Sequence, residues 1–352
     1  MGTITFLLVL SFLVFFHELG HFLAARYFKV KVHVFSIGFG KQIYSKFWMG
    51  TTWQISMIPL GGYVKMEGQD DSNPTLTESG DDSYNTKKPW QRIIILFAGP
   101  FANFLLAAIL YFTIALMGAN TIAAQVGVVQ ENSPAFHAGI QENDEIFRIN
   151  DSDIKSWDQI GKIITSTQGA LQFFIKREDK IVVKIINPQV GDSQNLFNEK
   201  IKKRMIGISP SGKVITLDLS ISQALVFAYE KTIFASTMIF QGVQKLIQGV
   251  IPSSEIGGVI TIGKVISDAS ESSIIALLSI TALISVNLGV LNLLPIPALD
   301  GGHIMFNLYE LIARRKPSEK VFMFLTIMGW VILGSLMMLG IYNDINRIFL
   351  NN

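Results

Sequence analysis

A chain of 352 residues with 49 % hydrophobic and only 16 % charged residues and a mean hydropathy of +0.40 lies outside the range of soluble domains and points to membrane integration. A net charge of +2, with no basic run interleaved with aromatics, argues against nucleic acid as a partner. The absence of cysteine excludes disulfides and thiolate metal sites, so a metal would have to be held by carboxylates or by the five histidines at 17, 21, 33, 137 and 303.

Crossing the hydrocarbon core takes about 20 apolar residues in a helix. Residues 3–25 meet that length and are apolar except for His17, Glu18 and His21, three groups that a cleavable signal segment would lack. Residues 34–44 and 52–66 follow as β-forming runs with Gly at their turns, and 69–85 is an acidic, Ser-rich stretch expected to be a solvated loop. A second span is expected over 93–119, with no charge at all. From 125 to 188, short β-rich runs (125–129, 146–149, 171–175, 181–186) alternate with turn residues around one helix near 157–166. Residues 221–250 are apolar apart from Glu230 and Lys231 near the middle. A charge pair at that place costs several kcal/mol in hydrocarbon, so this tract is expected to lie along the interface rather than to form a fifth span. Residues 274–294 and 321–342 complete four predicted spans.

Basic residues in the short loops set the orientation. Arg26, Lys29, Lys31, Lys41, Lys46, Lys65, Lys87, Lys88 and Arg92 lie between the first two spans, and Arg314, Arg315, Lys316 and Lys320 between the last two. Both loops are therefore expected on the cytoplasmic side, with both termini and the 120–273 segment outside.

His17-Glu18-Leu19-Gly20-His21 fits the HExxH pattern of zinc peptidases. Positions i and i+4 share a helix face, so two imidazoles can reach one Zn²⁺, and in such sites the intervening carboxylate takes a proton from the attacking water. By composition the pattern arises by chance in about 0.3 % of such chains. Ionisable groups inside a span are costly and mark function. A catalytic zinc needs a third protein ligand, and Asp300 and His303 compete for that place on residue type alone. Starting outside, the first helix reaches His17 about 21 Å into the bilayer. The third span approaches the same leaflet as Pro295 and Pro297 break it, so the two polar segments arrive at one depth.

The run Asn292-Leu293-Leu294-Pro295-Ile296-Pro297-Ala298-Leu299-Asp300-Gly301-Gly302-His303 resembles the second signature of the site-2 protease family of intramembrane zinc metalloproteases. That resemblance implies Asp300 as the third zinc ligand beside His17 and His21, Glu18 as the catalytic base, and Asn292 and Asn287 as substrate-backbone contacts. It extends through Gly38-Phe39-Gly40, Pro59-Leu60-Gly61-Gly62-Tyr63-Val64-Lys65-Met66, Lys88-Pro89-Trp90-Gln91-Arg92 and Ala98-Gly99-Pro100-Phe101-Ala102-Asn103, and is greatest for the bacterial RseP/RasP-like branch. Gly99-Pro100 and Asn103 read as shaping the second helix and its packing. Ser133-Pro134-Ala135, Ala138-Gly139-Ile140 and Asn143-Asp144-Glu145-Ile146 resemble the PDZ domains attached to bacterial proteases. There is room for one such domain where the best-known members of the branch carry two.

The resemblance implies a polytopic α-helical membrane protein of four transmembrane helices with a membrane-reentrant β-loop and an inserted extracytoplasmic PDZ-like α+β domain. Its expected parts are 1–117 (two helices, HExxH and the β-loop at 34–66), 118–220 (the PDZ-like domain), 221–273 (interfacial amphipathic helices and linker) and 274–352 (two helices and the Leu299-Asp300-Gly301 motif). The implied function is cleavage, with one catalytic Zn²⁺, of single-span membrane proteins in a bacterial inner membrane. Substrates would be of the anti-sigma-factor or remnant-signal-peptide type, cut in regulated intramembrane proteolysis. Gly61, Gly62, Tyr63 and Val64 would offer a strand edge to the unwound substrate, and the PDZ-like domain would filter substrates or bind a peptide. A membrane metal transporter and a non-catalytic PDZ scaffold are the rival readings. The first tolerates Glu18→Gln, and the second tolerates loss of His17, His21 and Asp300 together. His33 and His137 have no ligand spacing and read as ordinary surface or loop residues.

Overall fold

The computed structural model describes residues 2–69 and 80–349, so residues 70–79 of the expected solvated loop lie outside the described residues. In chain order the elements are α1 (Gly2–Tyr27), β1 (Val32–Trp48), β2 (Thr51–Met66), α2 (Pro89–Gly118), β3 (Ala119–Ile122), β4 (Val126–Val129), the one-turn α3 (Pro134–His137), β5 (Glu145–Ile149) and β6 (Ser152–Asp153). Then come α4 (Trp157–Ser166), β7 (Leu171–Arg177), β8 (Lys180–Ile186), β9 (Gln189–Gln194), β10 (Lys200–Met205), β11 (Ile208–Pro210), β12 (Val214–Leu217), α5 (Ile221–Ile247), α6 (Val259–Ser272), α7 (Ile274–Asn292), α8 (Asp300–Ala313) and α9 (Glu319–Phe349). They fall into two compact units, Met1–Ile114 with Leu225–Asn352, and Ala115–Ala224.

In the first unit, α1, α2, α7 and α9 are each long and apolar enough to cross a membrane, as the four predicted spans required, and this is consistent with a multi-pass membrane protein. The apolar runs at 6–10 and 12–16 of α1, rich in Leu, Val and Phe, favour helix once backbone hydrogen bonds have no competing water. The helix closes on a left-handed Lys29 (φ 59°), with Val30 N–H donating to Ala25 O at 2.8 Å and Lys29 N–H to Arg26 O at 3.0 Å. This pair of bonds is a Schellman cap, and Val30 is buried against Phe22 and Ala25 beneath it. Pro89 opens α2 at a position that has no intrahelical donor to lose. The packed centre is formed by Leu13 of α1, Leu106 and Ala107 of α2, and Ala282 and Val286 of α7.

β1 and β2 are bent, so that they build a sheet of more than two layers of backbone. Met49 (φ 51°) and Gly50 (φ 78°) form the two-residue turn that sets Trp48 opposite Thr51 and Tyr44 opposite Ile55. The start of β1 pairs on one side with 52–55 (Val34↔Thr52 to Ile37↔Ile55) and on the other with the end of β2 (Val34↔Lys65, Phe35↔Val64, Ser36↔Tyr63, Ile37↔Gly62). The backbone order is therefore 44–48, 51–56, 34–37 and 62–66, and no other described strand pairs with 62–66. Both expected β-runs are present.

One helix of this unit, α8, was not anticipated, whereas the helix expected in 221–250 is present as α5. The segment after Pro297 returns at once to helix as α8, because Asp300 can occupy its first turn and the chain beyond Gly302 is again helix-forming. The apolar tract at 221–250 is one continuous helix, α5, which is not among the four helices apolar enough to span.

The second unit has a core of the soluble kind. Ile146, Ile149, Leu171, Phe173 and Ile175 alternate inward from a sheet of order β6-β5-β7-β8, all antiparallel, and pack against Ile160 and Ile164 of α4. Asp144, buried, holds Arg177 through paired bonds of 2.7 Å. The expected β-pattern stopped at 188, whereas the module continues. β11 pairs with β4 (Ile208↔Val129), β12 pairs with β3 (Val214↔Ile122), and β9 with β10 forms a hairpin. Lys200, Lys202, Lys203 and Arg204 dilute the apolar alternation of this stretch, which hid its strands.

Candidate active site

His17 and His21 stand one turn apart on α1, their rings edge to face with centroids 4.8 Å apart and their Nε2 atoms 3.2 Å apart. Asp300, the first residue of α8, brings Oδ2 to 3.4 Å from His17 Nε2 and 3.5 Å from His21 Nε2. The loop between α7 and α8 delivers it. Pro295 and Pro297 prevent α7 from continuing, and Leu299 N–H donates to Ile296 O at 2.8 Å, tightening the turn before Asp300. The far end of α8 is tied to the start of α2 by a nearly buried pair, Arg92 to Glu310 at 2.7 Å.

Among the described residues, His17, His21 and Asp300 are the one group whose donor atoms converge closely enough for a metal, all within 4.8 Å of one another. Two imidazole nitrogens and one carboxylate oxygen suit zinc with an open coordination position. The electrostatics agree with that fit, because Asp300 Oδ2 is buried and accepts no hydrogen bond, an acceptor left waiting for a cation. His21 Nδ1 lies 2.9 Å from the Ile95 carbonyl, which can only accept, so the ring hydrogen is on Nδ1 and the Nε2 lone pair faces Asp300. His17 Nδ1 lies 3.1 Å from the side-chain amide nitrogen of Asn103 on α2.

Small residues let α1 and α2 approach this closely. A Cβ at Gly99 would stand 2.2 Å from His21 Nε2, and one at Gly20 would stand 2.1 Å from the Ala98 carbonyl. Both contacts are impossible for any other residue at these places.

Glu18 is buried beside the ligand group but is not one of it. Its carboxylate lines a cleft of about 500 Å³ together with His17, His21 and Asp300. Gly61, Gly62, Tyr63 and Val64 form one wall and Asn292 another, with Leu10, Val14, Phe39, Leu96 and Leu288 between them. The unpaired edge 62–66 thus borders the same space as the convergent polar groups. Gly62 is needed for this closeness, since a Cβ there would meet Ser36 O at 2.7 Å and Glu18 Cγ at 3.0 Å.

Not every candidate residue enters the cleft. Asn287 is half-buried on α7 and does not line it, as five residues of helix rotate it about 140° from Asn292. His303 lies against the rings of Phe306 and Phe322, with centroids 6.1 and 5.9 Å away, outside the convergent group. His33 pairs with Glu67 at 2.6 Å, and His137 packs beside Phe136. Sequence reasoning assigned Gly99 and Asn103 to the shape and packing of the second helix without the imidazole that each faces, and it missed the Ile95 carbonyl. Asn103 carried a signal, as the one amide side chain in the uncharged stretch 93–119. The Ile95 carbonyl carried none, because a backbone carbonyl acquires meaning only through the neighbour it faces.

Comparison with known proteins agrees with this geometry. The model of peptidase family M50 matches residues 5–336. A protein of Campylobacter jejuni is 47 % identical over 341 residues, covering 97 % of this chain and 92 % of its own. One from Helicobacter pylori is 39 % identical over 351 residues (97 % and 98 %), and one from Rickettsia conorii 35 % over 358 residues (99 % of each). All three are named as candidate zinc metalloproteases. With a family match over nearly its whole length and a His-His-Asp group able to hold the metal, the chain belongs to peptidase family M50, the site-2 protease family of zinc metalloproteases.

Proposed function

We propose that this protein is an RseP/RasP-like endopeptidase that cuts single-span membrane proteins within the bilayer. His17, His21 and Asp300 are the zinc ligands, Glu18 is the catalytic base, and Asn292 with the edge 61–64 receives the substrate. The observation that carries the reading is a single cleft bordered by the convergent His-His-Asp group, a buried carboxylate outside that group, and a strand with one open edge.

When bound, a zinc ion supplies Lewis acidity at the scissile carbonyl and makes water more acidic. Glu18 accepts the proton of the attacking water at its carboxylate and passes it to the departing amide nitrogen. A helical substrate hides its peptide bonds in i to i+4 hydrogen bonds, so it must unwind before it can be cut. Pairing with the open edge at 62–66 replaces the bonds lost where no water can do so, and the Asn292 carboxamide holds a further backbone group of the extended segment. The apolar wall of the cleft limits water to what hydrolysis consumes.

The arrangement in the membrane follows from the same reading. Both termini and the 118–220 module lie outside the cytoplasmic membrane, the active site lies toward the cytoplasmic leaflet, and β1–β2 over 34–66 re-enters the bilayer. The exposed Ile43, Phe47, Met49 and Met57 of that sheet support immersion in an apolar phase. The 221–273 helices lie at the interface: α5 buries Ala224, Ala228 and Ala235 and turns Val226, Tyr229, Ile233 and Phe240 outward. The module is PDZ-like, and a groove of about 340 Å³ between Trp157 and Gly161 of α4 and the 205–209 backbone supports a peptide-filtering role. Anti-sigma-factor-type proteins and remnant signal peptides are the substrates proposed.

The test is cleavage of a model transmembrane helix by purified wild type and Glu18→Gln, with bound zinc quantified in both. Zinc should be retained and cleavage should fall by about 10²–10⁴-fold. Cleavage that survives the substitution would overturn the assignment of Glu18, and a zinc-loaded wild type that does not cleave would favour a transport or scaffold role.

A further inference from the structure

Asn103 lies outside the two metal signatures, yet it is fully buried and its side-chain amide nitrogen stands 3.1 Å from His17 Nδ1. Its Oδ1 is buried as well and has no hydrogen-bond partner. Its backbone carbonyl accepts from Ser285 Oγ at 2.8 Å, and Ser285 too is fully buried. One residue of α2 is therefore fastened to α7 on one side and faces the α1 imidazole on the other.

The chemistry of the two atoms decides what this contact can do. An imidazole that offers Nε2 to a metal carries its hydrogen on Nδ1 and needs an acceptor there, which an amide nitrogen cannot be. A carboxamide can present either its nitrogen or its oxygen at that place, and with Oδ1 toward Nδ1 it accepts the ring hydrogen and leaves Nε2 for the metal. A half-turn of the carboxamide exchanges oxygen for nitrogen at almost no change in volume. His21 has no such freedom, because a backbone carbonyl holds its Nδ1 at 2.9 Å.

We propose that Asn103 is the positioning residue for His17, its carboxamide set so that Oδ1 accepts from Nδ1–H when zinc is held. One imidazole is preset by the backbone, and the other is set by a side chain that can serve both tautomers. The idea rests on His17 being a zinc ligand, and its test separates the two claims.

Zinc affinity of the full-length protein in detergent, measured by competition with a chromophoric chelator, is compared for wild type, Asn103→Leu, Asn103→Asp and His17→Ala. Leucine keeps the bulk and removes the acceptor, so affinity should fall about 10–100-fold, while aspartate, an acceptor only, should restore it to within about threefold of wild type. Wild-type affinity in Asn103→Leu, or equal weakness in the leucine and aspartate variants, would overturn the role. Wild-type affinity in His17→Ala would instead overturn the site assignment on which it rests. Should Asn103→Leu not fold, nitrogen-15 histidine spectra of wild type decide. With zinc bound, the His17 hydrogen is expected on Nδ1 and hydrogen-bonded, and a hydrogen on Nε2 or a solvent-exchanging Nδ1 hydrogen would overturn the role.

Discussion

In the module Ala115–Ala224, Ile149, Leu171, Phe173 and Ile175 are the side chains closed off from solvent, while in the helical unit the fully buried positions include Asn103, Ser285 and Ser36, and Leu8, Phe101 and Phe324 are more than 40 % exposed. The module sorts its residues as a protein in water does. The helices sort theirs as a protein in lipid does, where apolar side chains lose nothing by facing outward and polar ones must find partners within. A buried polar residue such as Asp144 is fastened by its own ion pair in one unit, and buried polar residues converge on a site in the other.

That contrast can be broken or sharpened by substitution, beginning with the largest effect. His21→Ala removes a proposed ligand at the centre of the buried polar group, so both bound zinc and cleavage should be abolished while the module's strands keep their protection in amide hydrogen exchange. Phe173→Ala should do the reverse. It leaves a cavity in the module and lowers its stability by about 3–5 kcal/mol, seen as faster exchange in β5 and β7, with zinc still bound. An intermediate effect is expected at the open edge. Neighbouring N–H groups of a strand point in opposite directions, so either Tyr63→Pro or Val64→Pro removes a donor facing outward. That one variant should slow cleavage of a helical substrate about 2–10-fold, the worth of one net hydrogen bond, and leave a flexible peptide substrate unaffected. Equal rates for both substrates in both variants would remove the edge from the mechanism. The smallest effect belongs to Phe324→Ala on α9. Thermal unfolding in a bilayer should shift by no more than about 0.5 kcal/mol, because the side chain exchanges lipid contact for lipid contact.

Much of this fold could be read without coordinates wherever one rule dominates. Long apolar runs become helices because hydrocarbon offers the backbone no other partner, and all four predicted spans are helices long and apolar enough to cross. The alternating strands at 145–149 and 171–186 were likewise plain, since one of their faces is a water-excluding core. The strands at 189–217 were obscured because their lysines and arginine mask the period, and pairing with β3 and β4 is what holds two of them. α8 was overlooked because two prolines and two glycines surround its start, the usual signature of a loop.

The sequence by itself determined the chemistry on offer: two imidazoles and a carboxylate on one helix, and one more carboxylate after a proline break. Spacing on a helix is local geometry, and local geometry is written in order along the chain. Residue type and spacing left Asp300 and His303 in competition, and packing separates them, bringing Asp300 to 3.4 Å from His17 and leaving His303 among aromatic rings. The tertiary structure also gave meaning to residues whose importance lies wholly in what they face. Gly99 is one, as the space His21 occupies, and Asn103 is the other, as the amide beside His17. Contacts between segments far apart in the chain depend on packing, and packing is a property of the folded whole.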